Sequence, residues 1–181
     1  MPSPLNLPNI LSLSRVFLAP IVMVFLTVRG QFGTLLDVDI GDILAGLVFI
    51  VASLTDAVDG YVARKRGIVT NLGKFIDPLS DKILVVAALV SLVELQRLPA
   101  WIVVIIITRD FIVSGVRMAA AVEGVVIHAS AGGKAKTVMQ IVAIVMMIFG
   151  IPFALPVMLA AMLLTVWSGI DYLMKSKDFF R

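Results

Sequence analysis

The chain contains no cysteine. Disulfides and thiolate metal sites are therefore excluded. Charge is scarce as well: Asp, Glu, Lys and Arg make up 15% of the 181 residues, against about 25% in an ordinary soluble domain. Histidine is nearly missing, and the single one, His128, reads as a surface residue beside a loop. No basic segment precedes Leu11, and the apolar run continues past Leu26, so a cleaved secretory signal is not expected. Neither an internal repeat nor a low-complexity tract is visible. What fills the space is apolar: 60% of residues are hydrophobic, and the mean hydropathy is +1.08. These values predict an all-α integral membrane protein, a bundle of six transmembrane helices forming one domain over residues 1–181.

The spans follow from apolar runs of about 20 residues, the length that crosses a bilayer. Residues 1–15 read as a Pro-rich, interfacial N-terminal segment, and the first helix extends to about Val28. The stretch 29–42 is an acidic loop with Asp37, Asp39 and Asp42. A second helix is expected from about Ile43 to Arg64. A third starts near Lys74–Asp77, where Pro78 suits a first turn because its missing N–H is unneeded there. The fourth covers about Trp101–Val122, the fifth Thr137–Phe149 and the sixth Leu155–Tyr172, with a small-residue loop, Ala129–Gly133, before the fifth. Six spans put both termini on one side. That side holds Arg15, Arg64, Lys65, Arg66, Lys74, Lys82, Arg117, Lys134, Lys136, Lys175, Lys177 and Arg181, whereas Arg29 and Arg97 fall on the other. The basic side is cytoplasmic by the positive-inside rule, which predicts a multi-pass protein of the inner or plasma membrane.

The chemistry concentrates in Asp56–Asp81, DAVDGYVARKRGIVTNLGKFIDPLSD. Asp56 and Asp59 are three apart and Asp77 and Asp81 four apart, so each pair shares one helix face. An Asp at the centre of a membrane helix costs roughly 2.5–3.5 kcal/mol, and a Leu there returns only about 0.3–0.6. Grouped carboxylates resist ionising together without positive charge between them. Divalent ions with oxygen ligands are the natural compensation, and two of them about 3.5–4 Å apart can clamp an in-line displacement at phosphorus. Gly60, Ala63 and Gly73 remove side-chain bulk. Ion pairs with the neighbouring Arg and Lys are the alternative use of these acids.

The run Asp56-x2-Asp59-Gly60-x2-Ala63-Arg64-x8-Gly73-x3-Asp77-x3-Asp81 resembles the signature of the CDP-alcohol phosphotransferases at every position. The resemblance implies a six-helix membrane enzyme, and the charge distribution puts the aspartates at its cytoplasmic end. The resemblance also implies transfer of a phosphatidyl or related group from a CDP-linked donor to an alcohol, releasing CMP. Asp56, Asp59, Asp77 and Asp81 would hold two Mg2+ or Mn2+ ions. Asp81 would also be the catalytic base on the acceptor hydroxyl. Gly60, Ala63, Arg64 and Gly73, with Asp56 and Asp59, would line the CDP-lipid site.

The second half bears on the acceptor. Arg109 stands about eight residues into its span, roughly 12 Å at 1.5 Å per residue, and an arginine at that depth is a functional candidate. A structural pair with Asp110 is the alternative reading. Arg117, Lys134 and Lys136 join it as a basic set suited to a phosphate, or serve as positive-inside anchors. Asn6–Asn9, Arg109–Asp110 with Ser114–Arg117, and Gly133–Thr137 resemble bacterial phosphatidylglycerophosphate synthases, with Asp110 where Glu is common. That resemblance implies CDP-diacylglycerol as donor, sn-glycerol 3-phosphate as acceptor and a homodimer. Inositol phosphate, serine or phosphatidylglycerol would be other acceptors for the same chemistry. A divalent-cation transporter is the reading from another class, but its acids would be spread across several spans instead of gathered at one end. Trp101 and Trp167 suit interfacial anchors. Gly115 and Ala119–Ala121 suit close helix packing, in the bundle or a dimer.

Overall fold

The computed structural model describes residues 7–66, 71–122 and 131–176; the side chains at 7–9, 11–12, 56–66, 71–79, 81, 121–122 and 131–134 lie outside the description. The described residues form six helices and one small hairpin: α1 (Leu7–Thr27), β1 (Thr34–Leu35), β2 (Val38–Asp39), α2 (Ile40–Arg66), α3 (Asn71–Glu94), α4 (Ala100–Val122), α5 (Ala131–Ile148) and α6 (Ala154–Lys175). The all-helical expectation therefore holds. By length and composition, α6 is the described helix long and apolar enough to cross a membrane, while Leu13–Thr27, Ile40–Thr55 and Ala135–Ile148 are shorter apolar helices.

The chain divides into two compact units, Met1–Leu95 with Ile148–Gly150, and Gln96–Met147 with Ile151–Arg181. In the first, α1 packs against both α2 and α3. Its buried stripe is Arg15, Ala19, Val22 and Leu26, spaced four, three and four apart as one helix face requires. Ala45, Phe49 and Ala52 face inward from α2, and Leu84, Ala88 and Leu92 from α3. Small residues let the backbones approach. A Cβ at Gly41 would fall 2.6 Å from the Phe25 carbonyl oxygen, and one at Gly46 would fall 2.5 Å from the Phe149 ring. Pro20 interrupts α1, removing a main-chain bond on its exposed side.

Three boundaries differ from the sequence expectation. First, the acidic loop contains a hairpin, with Thr34 opposite Asp39 and Leu35 opposite Val38. Leu36 and Asp37 form its turn at φ 54° and 64°, the positive values a tight hairpin turn demands. Asp39 is the N-cap of α2: Oδ1 accepts from Gly41 N–H at 2.8 Å, and Oδ2 accepts from Gly30 N–H at 2.6 Å. A carboxylate there satisfies an otherwise unpaired helix donor. Second, α3 begins at Asn71, so Pro78 lies about two turns inside the helix and not in its first turn. Third, α5 begins at Ala131, so Gly132, Gly133, Lys134 and Lys136 are helical; paired glycines weaken a helix but do not forbid one.

In the second unit α4 packs on α6. From α6, Met158, Ala161, Thr165, Ser168 and Tyr172 are buried, and from α4 Ile102, Ile106, Val113 and Ala120. Arg97 donates to the Met147 carbonyl at 3.3 Å, a cation at the negative end of α5. Gly115 is exposed, and a Cβ there would meet nothing within 4 Å. Among the described residues it therefore takes no part in close packing.

Candidate active site

Asp56, Asp59, Gly60, Ala63 and Arg64 lie on the C-terminal part of α2, and Gly73, Asp77 and Asp81 on the N-terminal part of α3. Both helices belong to the first unit and touch one another. The side chains of these eight residues lie outside the described part. Their positions still carry chemistry. The end of α2 bears partial negative charge and favours cations. Four carboxylates supply only hard oxygen donors, the set that suits Mg2+ or Mn2+. Among the described residues no group of three or more His, Cys, Asp or Glu side chains is assembled.

The second unit carries the basic residues, and here the side chains are described. Arg109 donates from Nη1 to Asp110 Oδ1 at 2.9 Å, and Lys136 of α5 donates to the same oxygen at 2.5 Å. The pairing of Arg109 with Asp110 is present, and Lys136 completes a triad of two cations on one carboxylate. These side chains are 14%, 18% and 10% exposed for Arg109, Asp110 and Lys136, so their attraction is screened less than at an open surface. Two cations thus converge on one carboxylate oxygen, a concentration of positive charge that suits an anionic ligand.

Arg109 makes a second contact. Its Nη2 donates to Ser168 Oγ at 2.7 Å, and that hydroxyl donates to the Thr165 carbonyl at 3.1 Å. Gly169 makes room for the side chain, because a Cβ there would lie 2.8 Å from Arg109 Nε and 2.9 Å from its Cγ. Nε itself is buried without a hydrogen-bond partner among the described residues. Arg117, exposed, lies 5.7 Å from the centroid of the Tyr172 ring, within cation–π range. The Tyr172 hydroxyl and Gln140 Nε2 are buried and also lack partners among the described residues. Lys134 is on α5, its side chain outside the described part, and His128 lies outside the described residues.

Sequence reading missed Ser168, Gly169, Tyr172 and Gln140. The available signal was polarity: Thr165 and Ser168 interrupt an otherwise apolar run, and polar groups in such helices need partners.

The comparisons decide the lineage. Residues 5–167 match the model of the CDP-alcohol phosphatidyltransferase family. The chain belongs to that family. It is 41% identical over 94% of its length to a CDP-diacylglycerol–glycerol-3-phosphate 3-phosphatidyltransferase of Bacillus subtilis, covering 95% of that protein. It is 40% identical to a probable phosphatidylglycerophosphate synthase of Mycobacterium tuberculosis, over 94% of this chain and 81% of the other. A CDP-diacylglycerol–glycerol-3-phosphate 3-phosphatidyltransferase of Rickettsia bellii is 30% identical over 97% of each chain. CDP-alcohol phosphatidyltransferases are membrane enzymes and are generally dependent on divalent metal. The matched region takes in the four aspartates and all four basic candidates.

Proposed function

We propose that the chain transfers the phosphatidyl group of CDP-diacylglycerol to sn-glycerol 3-phosphate, yielding phosphatidylglycerol phosphate and CMP. The observation that carries this reading is the family match over residues 5–167, read with the names of the relatives. The acceptor's hydroxyl oxygen forms a new bond to the phosphorus that bears the diacylglycerol. The bond from that phosphorus to the CMP oxygen breaks, and CMP leaves with the electron pair. The hydroxyl proton passes to the Asp81 carboxylate.

Asp56, Asp59, Asp77 and Asp81 would hold two Mg2+ or Mn2+ ions. When bound, these ions would neutralise the pyrophosphate and stabilise charge on the leaving group. Gly60, Ala63, Arg64 and Gly73 would border the nucleotide. Arg109, Arg117, Lys134 and Lys136 would receive the acceptor phosphate, Arg109 through the fixed fork of its guanidinium. The Asp110 carboxylate keeps Arg109 and Lys136 from repelling one another before the acceptor arrives.

In this reading residues 1–181 form one domain, multi-pass in the inner or plasma membrane, with both termini and the site cytoplasmic, working as a homodimer. The exposed apolar side chains favour the membrane. Every described helix presents them: Phe17 and Val24 on α1, Leu47 and Leu54 on α2, Val90 on α3, Val104 and Phe111 on α4, Val138 on α5, Leu163 and Trp167 on α6. Surfaces of that kind are rare on soluble monomers and ordinary against lipid. Trp101 and Trp167, both exposed, suit the interface.

CMP release tests the reading. Purified protein in detergent receives CDP-diacylglycerol and Mg2+ with sn-glycerol 3-phosphate, inositol phosphate or serine. Release that requires glycerol 3-phosphate and stops with EDTA is the expected result. Release with another alcohol alone would discard the acceptor assignment and keep the aspartate site.

A further inference from the structure

Both terminal nitrogens of Arg109 are held by the chain itself. Asp110 takes one terminal nitrogen and Ser168 the other, at 2.9 and 2.7 Å. The polarity of the second contact is fixed. The Ser168 proton is committed to the Thr165 carbonyl, so the oxygen faces the arginine as an acceptor. Ser168 is 2% exposed, and a buried hydroxyl with both roles filled has little freedom to turn. The next residue, Gly169, is buried and leaves a slot that a methyl group would close, 2.8 Å from Nε. Hydroxyl and slot are adjacent on one helix, and they seat the two ends of one side chain.

This arrangement leaves Arg109 Nε–H buried without a hydrogen-bond partner among the described residues. An unpaired buried donor is costly and calls for a reason. Meanwhile the side chain has lost rotamer freedom before any ligand arrives. An arginine ordered in advance binds an anion more tightly than a mobile one, because the ordering cost is not charged to binding.

We infer that Ser168 and Gly169 of α6 are positioning residues for Arg109, and that they set the affinity for the phosphate-bearing acceptor without touching it. The inference rests on the function proposed above. It assigns a role in acceptor selection to a helix that carries none of Asp56, Asp59, Asp77, Asp81, Arg109, Arg117, Lys134 and Lys136.

Steady-state kinetics of the full-length protein in detergent test it, with wild type, Ser168→Ala, Ser168→Thr and Gly169→Ala. In Ser168→Ala the KM for sn-glycerol 3-phosphate should rise about tenfold, equivalent to about 1.4 kcal/mol. The kcat and the KM for CDP-diacylglycerol should stay within about twofold. Ser168→Thr, which keeps the hydroxyl, should recover most of the lost affinity. Gly169→Ala should show the same acceptor-specific rise by pushing Arg109 out of its slot. An unchanged acceptor KM in Ser168→Ala, in an active enzyme, would overturn the inference and leave the proposed function standing. So would a loss spread equally over both substrates together with a lowered melting temperature, because that marks a merely structural role. A folded wild type that uses no phosphate-bearing acceptor would overturn both.

Discussion

Lys136 Nζ lies 2.5 Å from the Oδ1 oxygen of Asp110, which sits 26 positions earlier in the chain. The contact joins α5 to α4, and Arg109 competes for the same oxygen. Replacing Asp110 by Asn keeps the shape but leaves two neighbouring cations without their shared anion. Exposed pairs are worth about 0–1 kcal/mol, whereas breaking a buried one costs about 3–5 kcal/mol. These side chains are largely but not fully covered, so a loss of about 1–3 kcal/mol is expected. It would be read as a lower melting temperature in detergent, with Asp110→Glu closer to wild type. A melting temperature equal to wild type in Asp110→Asn would show that the triad adds nothing to stability.

If Asp81 is the base proposed above, Asp81→Asn should abolish phosphatidyl transfer while CDP-diacylglycerol still binds, since three of the four carboxylates remain. Single-turnover CMP release and a lipid-binding titration on the same preparation separate the two effects. Full activity in this variant would remove Asp81 from the role of base.

Tyr172 offers Arg117 a ring face, and its hydroxyl has no partner among the described residues. Tyr172→Phe should therefore leave stability within about 0.5 kcal/mol, whereas Tyr172→Leu should lose the cation–π contribution, about 0.5–1 kcal/mol at an exposed cation, and ring packing besides. Thermal melts of the two variants decide this. A large loss in Tyr172→Phe would mean that the hydroxyl has a partner after all.

Two glycines of the first unit should differ in what an added methyl costs. At Gly41 the obstacle is backbone, the Phe25 carbonyl oxygen and the Arg29 Cα. At Gly46 it is the Phe149 ring, which can turn aside. Gly41→Ala should cost about 1–3 kcal/mol, the usual range for overpacking, and Gly46→Ala less. The order of the two melting temperatures checks the claim.

The absence of native cysteine makes single-cysteine labelling free of background. Gln31→Cys in the connection after α1 and Lys175→Cys at the end of α6 should react from opposite sides of intact membrane vesicles. Labelling of both from one side would refute the six-span topology with cytoplasmic termini.

Much of this was legible in the residues. Apolar runs located the helices, and the four aspartates fell on α2 and α3 as their spacing required. Arg109 with Asp110 could be read as a pair because the two are neighbours. Ser168 could not be tied to Arg109, since 59 positions separate them and only packing of α4 on α6 brings them together. Lys136 on Asp110 was hidden for the same reason. The start of α5 was misplaced because Gly132 and Gly133 read as breakers, although tertiary context can hold glycines in a helix. Asp39 looked like one more loop acid, and its capping of α2 depends on a hairpin that two-residue strands barely announce.

The first helix carries none of the aspartates, yet α2 and α3, which carry all four, both rest against it. The helices that present the four aspartates are thus braced by a neighbour that contributes none of them. A random mutagenesis screen for lost activity would mark Ala19, Val22 and Leu26 as forcefully as the acids themselves. Seen through phenotype alone, the catalytic map of this chain would begin some forty residues too early.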